Sequence, residues 1–445
     1  MGRYLECKAL VEKHEKIILE TERYIWEHPE TGFREWGTTR YLAKCFEDAG
    51  YELTMAGDVP GFYADLDTGR PGPRILILGE MDALIVPDHP EQKNGYAHAC
   101  GHNTQCAALL GAALALKEPG ALDGLCGSIR FMAVPAEELI EIEYRDSLRK
   151  QGIIHYLSGK TEFLYRGYMD GCDIAFMNHV GTGDKDCFTW NDMNGCMAKT
   201  IIYKGVAAHA GGHPELGINA LYAANVGMNA INALRETFKD NDHVRVHPII
   251  TAGGSSVNVI PSNVVMQSYV RGASIESIAS NNDKVNRAIA GSALSLGAEV
   301  RVEDRAGYAP LINDDGLKQV MGSCAAQIFG ENAVKEKPWG CGSTDMGDLS
   351  CVMRVLHTNI AGGTGHHHGV DFLVSDPYTA CVTSAVVYVM TVIALLENNA
   401  KEGKNILAGP PLRYPNKEAF FTDISRLMVD CDMIKYGDRG AEVTW

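Results

Sequence analysis

A thiol and an imidazole stand two residues apart at Cys100 and His102, just before a run of small and apolar residues. That run, residues 106–116, has the composition of a buried helix, so the pair is predicted to lie on the turn leading into it. Gly101 between them can adopt conformations that direct both side chains the same way. Thiolate and neutral imidazole both bind divalent metals. A lone Cys-x-His pair is more often core packing, so the metal interpretation needs ligands from elsewhere in the chain.

Three further segments offer such ligands. They are Glu137 and Glu138 at the end of the predicted strand 131–138, His179 at the end of the predicted strand 172–179, and the three histidines 366–368 in a glycine-rich loop. Side chains at the carboxyl ends of parallel strands face the crevice in which open α/β sheets bind ligands. Four ligand-bearing segments are difficult to explain as core packing, so the sequence predicts a metal site.

Two of these segments belong to longer motifs, and three further motifs lie elsewhere in the chain. The motifs are Gly-Glu-Met-Asp-Ala-Leu at 79–84, His-Ala-Cys-Gly-His at 98–102, Pro-Ala-Glu-Glu at 135–138, Gly-Val-Ala-Ala-His-Ala at 205–210 and Asn-Val-Ile-Pro at 258–261. In this order they resemble the di-metal amidohydrolases that include hippurate hydrolase, indole-acetyl-amino-acid hydrolase and the p-aminobenzoyl-glutamate hydrolase subunits. The resemblance covers roughly residues 15–400. Residues 100–103 and 343–348 look closest to the p-aminobenzoyl-glutamate hydrolase subunits.

The resemblance implies two divalent metal ions per chain, manganese or zinc. The implied ligands are Cys100, His102, Glu138, His179 and one histidine of the triplet. In such a centre a pair of cations about 4 Å apart shares a water and polarises the scissile carbonyl. Glu137 is then the general base, which takes the proton of the water and passes it to the departing amine. Asp82 is either a carboxylate that orients a ligand or a simple turn residue at a strand end.

The choice within the histidine triplet depends on the alignment of the loop. The family's ligand histidine stands four residues before an aromatic residue, and Phe372 gives His368 that spacing. Alignment from Gly363 gives His367 instead. We expect His368 to be the ligand, with His367 as the alternative.

Two features depart from the family pattern. Asn103 and Gln105 stand where an aspartate and a later histidine are common, which affects the surroundings of the metals but none of the five ligands. About forty residues separate Glu138 from His179, a long stretch for the family. Its charged segment 145–152 is predicted to be helical, and we expect this extra element to wall the substrate pocket.

The fold is predicted to be α/β, with a catalytic domain whose mostly parallel sheet is flanked by helices, plus an inserted smaller α+β lid and dimerisation domain. The first part of the catalytic domain is predicted to span residues 1–190, the inserted domain 191–308, and the second part, with a C-terminal tail, 309–445. The resemblance implies a homodimer formed through the inserted domain. It also implies that His209 reaches the partner's catalytic site and binds the carbonyl oxygen, although a histidine between two alanines is equally typical of an ordinary loop.

Two residues of the inserted domain are candidates for substrate binding. Arg271 follows a predicted strand, and its planar guanidinium could hold a substrate carboxylate by paired hydrogen bonds. An arginine at a strand end is also typical of a solvated surface. Asn258 is expected to assist Arg271.

Composition excludes several classes of function. A chain of 445 residues that is 46% hydrophobic can form two or three domains with a large core. Its net charge of −16 argues against binding nucleic acid or anionic membranes. Thirteen cysteines without a repeating spacing, and a first segment without an apolar signal region, predict a cytoplasmic protein. The longest apolar stretch, 381–396, is too short for a membrane span and is predicted to be a core helix.

The predicted function is metal-dependent hydrolysis of the amide bond of an N-acyl or N-aroyl amino acid. A dipeptidase of the same family is the first alternative, but it would need an anchor for a free amine, and the apolar Leu139 follows the glutamate pair. A non-catalytic metal-binding subunit of a hetero-oligomer is the second alternative. The departures at Asn103 and Gln105 keep that alternative open, whereas Glu137 argues against it because a purely structural metal site needs no base.

Overall fold

Two units, each built around its own β-sheet, make up the chain. The computed structural model describes residues 2–183, 187–438 and 440–444. Unit 1 comprises Met1–Asp192, Ile312–Trp339 and Thr344–Lys417, and unit 2 comprises Met193–Leu311, Gly340–Ser343 and Glu418–Trp445. The predicted α/β fold with an additional smaller domain is confirmed.

Helices cover both sheets. The α-helices are α1 (Gly2–Glu12), α2 (Glu15–Glu27), α3 (Trp36–Asp48), α4 (His102–Leu116), α5 (Ile142–Lys150), α6 (Gly159–Tyr165), α7 (Ala220–Ala233), α8 (Ile275–Ser295), α9 (Asp315–Phe329), α10 (Met346–Ser350), α11 (Ser384–Leu407) and α12 (Lys417–Ser425). Short 3-10 turns lie at Pro214–Leu216, Arg235–Thr237, Asp240–Asp242 and Glu331–Ala333, and a π-helical turn, Tyr378–Thr383, leads into α11.

Strands are short at the sheet edges and longest in the sheet centres. They are β1 (Leu53–Met55), β2 (Phe62–Asp67), β3 (Arg74–Glu80), β4 (Leu84–Ile85), β5 (Tyr96–Ala97), β6 (Ser128–Val134), β7 (Ile174–Gly181), β8 (Phe188–Trp190), β9 (Gly195–Lys204), β10 (Arg245–Val246), β11 (Ile249–Ala252), β12 (Asn263–Gly272), β13 (Glu299–Tyr308), β14 (Val334–Glu336), β15 (Arg354–Ala361), β16 (Gly363–Thr364), β17 (Leu373–Val374), β18 (Asp430–Gly437) and β19 (Gly440–Val443). The short pairs β4–β5 and β16–β17 lie outside the two main sheets.

The sheet of unit 1 has the strand order β1-β2-β6-β3-β7-β15-β8-β14. Its four central strands, from β6 to β15, run parallel, whereas β1, β2 and β8 pair antiparallel with their inner neighbours. The central strands are buried along nearly their whole length, which agrees with their continuous apolar sequences because helices cover both faces of a parallel sheet. Their carboxyl ends meet at one edge, where β3 ends at Glu80 and β6 ends just before residues 135–138.

Unit 2 has a seven-stranded sheet in which every pairing is antiparallel among the described residues. Buried and more exposed residues alternate along β12, as expected when helices cover one face only. Helices α7 and α8 contribute to its core, and a Ser274–Ser277 capping box fixes the start of α8.

The C-terminal segment extends the sheet of unit 2. The sequence predicts a tail of the catalytic domain here, whereas the structure groups Glu418–Trp445 with unit 2. The cause is the antiparallel pairing of β18 with β13, which buries Met433 and Ile434 in the core of unit 2. The boundaries proposed for the inserted domain, 191 and 308, remain a prediction.

The most apolar helical segment, Tyr378–Leu407, is long enough to cross a membrane, but 83% of its most apolar window is buried inside the protein. The predicted core segment 381–396 lies within it and packs in the main hydrophobic core of unit 1. This burial is typical of the core helix of a water-soluble fold.

Candidate metal centre

The turn before α4 presents Cys100 and His102 at the sheet edge. Helix α4 begins at His102, and Gly101 caps it in a left-handed conformation with φ of 84°. A Cβ atom at Gly101 would lie 2.2 Å from Cγ1 of Val180, so only glycine fits at this position. The predicted turn therefore exists, and its tight packing fixes the directions of the two side chains.

Cys100 is common to two groups of potential metal ligands. One group is Cys100, His102 and His179, and the other is Cys100, Glu138 and His368; within each group the donor atoms lie within 4.8 Å of one another. The Cys100 Sγ lies 3.2 Å from His179 Nε2, and His368 Nε2 lies 3.0 Å from Glu138 Oε1. The structure thus brings together all five side chains that the sequence analysis named as ligands.

Within the triplet, His368 is the histidine grouped with Cys100 and Glu138. Its backbone N–H donates to the carbonyl of Ala99 at 2.8 Å, and its φ is 66°. The ring of His367 lies 5.1 Å from the ring of His179, measured between centroids, and its Nδ1 has no hydrogen-bond partner. His367 is therefore close to the centre, but it is outside the two groups.

Two of the imidazoles are oriented through Nδ1. His102 Nδ1 lies 2.9 Å from the carbonyl oxygen and 3.1 Å from Oδ1 of Asp82, whose Oδ2 accepts the backbone N–H of Glu138 at 2.8 Å. His179 Nδ1 lies 2.9 Å from the carbonyl of Val180. These acceptors favour the proton on Nδ1, which leaves Nε2 as the donor to a metal. The contacts support the interpretation of Asp82 as an orienting residue.

The donor set fits divalent metal ions. Thiolate, imidazole and carboxylate together suit zinc, and the carboxylate also admits manganese. His102 Nε2 is buried without a hydrogen bond, although Glu80 Oε2 lies 3.2 Å away. Burial, with a smaller effect of the charge on His102, lowers the pKa of His179 to about 4, so this ring is neutral at pH 7, as a ligand must be.

Glu137 lies beside these groups and is only 8% exposed. Burial, together with the negative charges of Glu80, Glu138 and Asp345, raises the pKa of Glu137 well above its ordinary value. A carboxyl group exchanges protons most efficiently when its pKa lies near the working pH. A raised pKa moves the carboxyl of Glu137 in that direction. The environment of Glu137 therefore suits a general base.

A buried ion cluster that the sequence analysis missed lies next to Glu137. The Lys160 ammonium contacts Glu80 and lies 2.5 Å from Asp345 Oδ1, and all three side chains are at most 1% exposed. Burial alone would raise the pKa of Glu80, but attraction to Lys160 and to nearby imidazoles lowers it below its ordinary value. Glu80 and Asp345 lie within motifs that the sequence analysis quoted, whereas Lys160 lies in the long stretch 139–178 without a recognisable signal.

The long stretch also supports Glu138 directly. Helix α5 covers most of the segment that was predicted to be helical, and its Arg145 is fully buried. The Arg145 guanidinium donates to the backbone carbonyls of Glu138 and Leu157. The segment therefore holds the backbone of a candidate ligand in place.

The two departures from the family pattern have defined partners. Asn103 Nδ2 donates to Glu22 Oε1 at 2.7 Å, and Gln105 Nε2 donates to Glu80 Oε2 at 2.8 Å. Both residues are buried in the first turn of α4. They support the frame around the ligands and are not in the two ligand groups.

The three candidate residues of unit 2 are exposed or half-buried within that unit. The backbone N–H groups of Gly211 and Gly212 donate to His209 Nδ1 at 3.2 and 2.9 Å, so the neutral ring carries its proton on Nε2. The Asn258 carbonyl accepts the N–H of Ala210, which joins the two loops. Arg271 lies within β12, one residue before its end, and donates to Ser343 Oγ at 3.0 Å.

Comparison with known proteins gives consistent results. The family model described as "Peptidase family M20/M25/M40" matches residues 76–390. A p-aminobenzoyl-glutamate hydrolase subunit from Escherichia coli K12 is 32% identical over 63% of this chain, but the match spans only 56% of the length of that protein. A human Xaa-Arg dipeptidase is 29% identical over 75% of this chain and 74% of its own length. A Bacillus subtilis structure described as a dinuclear metal-binding peptidase of the M20 family is 20% identical, with a TM-score of 0.65 over 86% of this chain and 99% of that one.

The sharing of Cys100 predicts different metal losses for different ligand variants. Cys100→Ala removes a donor from both groups and should reduce the binding of both metals, whereas His368→Ala should reduce the binding of only one. Metal content after dialysis, measured by mass spectrometry, tests this. Cys45→Ala, on α3, is the matched control and should keep the full content. Retention of both metals by Cys100→Ala would contradict the assignment.

The burial of Glu22 predicts a pH-dependent stability. Burial raises the pKa of Glu22 to about 7, so between roughly pH 4.5 and 7 this carboxyl is protonated in the folded state and charged in the unfolded state. Stability should therefore fall as pH rises through this range. Glu22→Gln removes that loss and should be more stable than the unaltered protein by about 3 kcal/mol at pH 8, with little difference at pH 4.5.

Denaturant unfolding at the two pH values measures this difference. Glu20→Gln, on the same helix but exposed, is the control and should change stability equally at both pH values. An equal effect of Glu22→Gln at pH 4.5 and pH 8 would show that Glu22 titrates normally.

Proposed function

The chain belongs to the M20/M25/M40 peptidase family, and we propose that it hydrolyses the amide bond of an N-acyl or N-aroyl amino acid, such as p-aminobenzoyl-glutamate or a hippurate-like substrate. The observation that carries the proposal is the pair of ligand groups sharing Cys100, with the buried carboxyl of Glu137 beside them. A site that only held metal for structure would not require such a base. The small-molecule amide is therefore the expected partner of this site.

Five side chains would hold two divalent cations, manganese or zinc: Cys100, His102, Glu138, His179 and His368. When bound, such a pair of cations polarises the scissile carbonyl and lowers the pKa of a shared water. The protein's own contribution is orientation. Asp82 and the Val180 carbonyl fix the two imidazoles, so that Nε2 of each ring is presented to the centre.

Glu137 is the proposed general base. Its raised pKa allows it to accept a proton from the attacking water and to donate that proton to the departing amine. His209, contributed by a second copy of the chain, is proposed to donate its Nε2–H to the carbonyl oxygen. The hydrogen bonds from Gly211 and Gly212 to Nδ1 support this role, because they leave the proton on the outward nitrogen.

Arg271 is proposed to bind the substrate carboxylate, with Asn258 assisting it. A guanidinium can form two parallel hydrogen bonds with a carboxylate. Arg271 donates to Ser343, which is neutral. This hydrogen bond therefore does not compensate the charge of the guanidinium. A substrate with a terminal carboxylate, as in every N-acyl amino acid, matches this arrangement.

A dipeptidase is the second candidate, favoured by the similarity to a human Xaa-Arg dipeptidase. Such an enzyme must bind a free amine close to the scissile bond, and the apolar, buried Leu139 follows the glutamate pair. A panel containing both N-acyl amino acids and dipeptides, presented to metal-stripped protein with and without added manganese or zinc, separates the two candidates.

Unit 2 is the proposed dimerisation surface. Tyr222 and Val226, one turn apart on α7, are 63% and 40% exposed and form an apolar pair on the outer side of that helix. We propose a homodimer. A hetero-oligomer is the alternative, because the similar Escherichia coli chain is named as one subunit of an enzyme.

A cytoplasmic location is also proposed. The thirteen cysteines are all free, which is typical of proteins kept in a reducing compartment.

The catalytic role of Glu137 predicts a loss of turnover without a loss of metal. Glu137→Gln should retain both metals, while kcat falls by about 10²–10⁴-fold. Amine release from the best substrate of the panel and the metal content of the same sample measure both effects. Glu47→Gln, an exposed change on α3, is the control. Normal turnover by Glu137→Gln would contradict its role as the base, whereas no amine release from the unaltered chain would favour the non-catalytic metal-binding subunit.

The dimerisation surface predicts that charge on α7 separates the subunits. Tyr222→Glu combined with Val226→Arg should convert the dimer to a folded monomer, as measured by light scattering after gel filtration. Met55→Glu, an exposed apolar position of unit 1, is the matched control and should remain dimeric. A monomeric unaltered chain would point to a different partner subunit.

A further inference from the structure

A third group of potential metal ligands lies at the same sheet edge. Glu80, His102 and Glu137 place donor atoms within 4.8 Å of one another, and all three are buried. Imidazole and two carboxylates are sufficient ligands for zinc or manganese. This group shares His102 with one of the Cys100 groups, so the same edge has donors for more cations than the two proposed above.

Both oxygens of Glu80 already have partners. Oε1 accepts a hydrogen bond from the Lys160 ammonium, and Oε2 accepts one from Gln105 Nε2 at 2.8 Å. The backbone N–H of Glu80 donates in return to Gln105 Oε1 at 3.1 Å. The carboxylate is therefore fixed in orientation by two side chains from different helices.

The Lys160 ammonium is itself held in place. It lies 2.5 Å from Asp345 Oδ1, while the backbone N–H of Lys160 donates to Asp345 Oδ2 at 2.9 Å. Asp345 thus binds both ends of the same residue, and Lys160 has no exposed surface. Lysine carries a compact charge, so a second cation close by would be repelled strongly in this buried setting.

We propose that the Lys160 ammonium occupies the position of a cation in this third group, so that Glu80 is a hydrogen-bond acceptor and not a metal ligand. Lys160 is then a positioning residue, which limits the centre to two metals and keeps Glu137 available for proton transfer. The proposal rests on the proposed function, because it takes the two Cys100 groups as the metal sites.

Metal stoichiometry tests the proposal. Chelator-stripped protein is titrated calorimetrically with Mn²⁺ or Zn²⁺, and the metal content is measured after dialysis. The unaltered chain should bind two equivalents. Lys160→Met should bind a third, because Glu80 and Glu137 lose the competing ammonium. Adding Glu80→Gln to Lys160→Met should return the stoichiometry to two.

Two matched variants separate the effect of the Lys160 charge on metal binding from a general loss of stability. Lys160→Arg keeps the charge and should bind two equivalents. Lys199→Met removes another fully buried lysine, which contacts Asp304 in unit 2, and should lower thermal stability without changing the metal content. A third equivalent in Lys199→Met would mean that the gain reflects general loosening of the protein, and it would overturn the proposal.

A single change at Glu80 gives a test that does not depend on the folding of Lys160→Met. If Glu80 is not a ligand, Glu80→Gln should bind both metals with affinities within about threefold of the unaltered chain. A loss of about tenfold or more in either metal affinity of Glu80→Gln would overturn the proposal. A folded Lys160→Met that binds only two equivalents of metal would also overturn it. Failure of the unaltered chain to bind two metals would instead contradict the proposed function, before any variant is compared.

Discussion

Buried negative charge at the carboxyl edge of the parallel sheet is the constraint on which the rest of unit 1 depends. The acidic side chains concerned are Glu80, Asp82, Glu137, Glu138 and Asp345. An uncompensated carboxylate costs several kcal/mol to bury, so each needs a hydrogen bond, a proton or a cation. Asp82 has hydrogen-bond donors, the raised pKa of Glu137 favours a proton, and Lys160 contacts the other two. Glu138 contacts the imidazole of His368, and the proposed metals would compensate its remaining charge.

The parallel sheet is what brings these charges together. Strands β3, β6 and β7 end at one edge, so residues far apart in the chain become neighbours. Lys160 and Asp345 are 185 positions apart, yet their contact closes the cluster around Glu80. Positions that cannot accept a side chain, such as Gly101, are the local consequence of this close packing.

Features carried by short motifs could be predicted from the sequence, because each motif is a single strand end or turn. Cys100 and His102 stand before a recognisable helix, and Glu138 and His179 come at the ends of apolar runs. Lys160 could not be predicted, because lysine is almost never fully buried, and only the fold shows that Glu80 and Asp345 enclose it. The C-terminal hairpin of β18 and β19 was missed for a related reason, since Met433 and Ile434 are the only deeply buried positions among the described residues of this short polar segment.

The long stretch between Glu138 and His179, predicted from the sequence to wall the substrate pocket, supports the sheet edge in the structure. Arg145 donates to the carbonyl of Glu138, and Lys160 neutralises Glu80, so this stretch supplies two buried cations to the frame of the centre. Each cation contacts a residue on a different strand end, which ties the stretch to the sheet edge at two points. A segment held in this way cannot vary freely near its buried cations. Changes at its exposed positions are expected to leave the charge balance of the sheet edge intact.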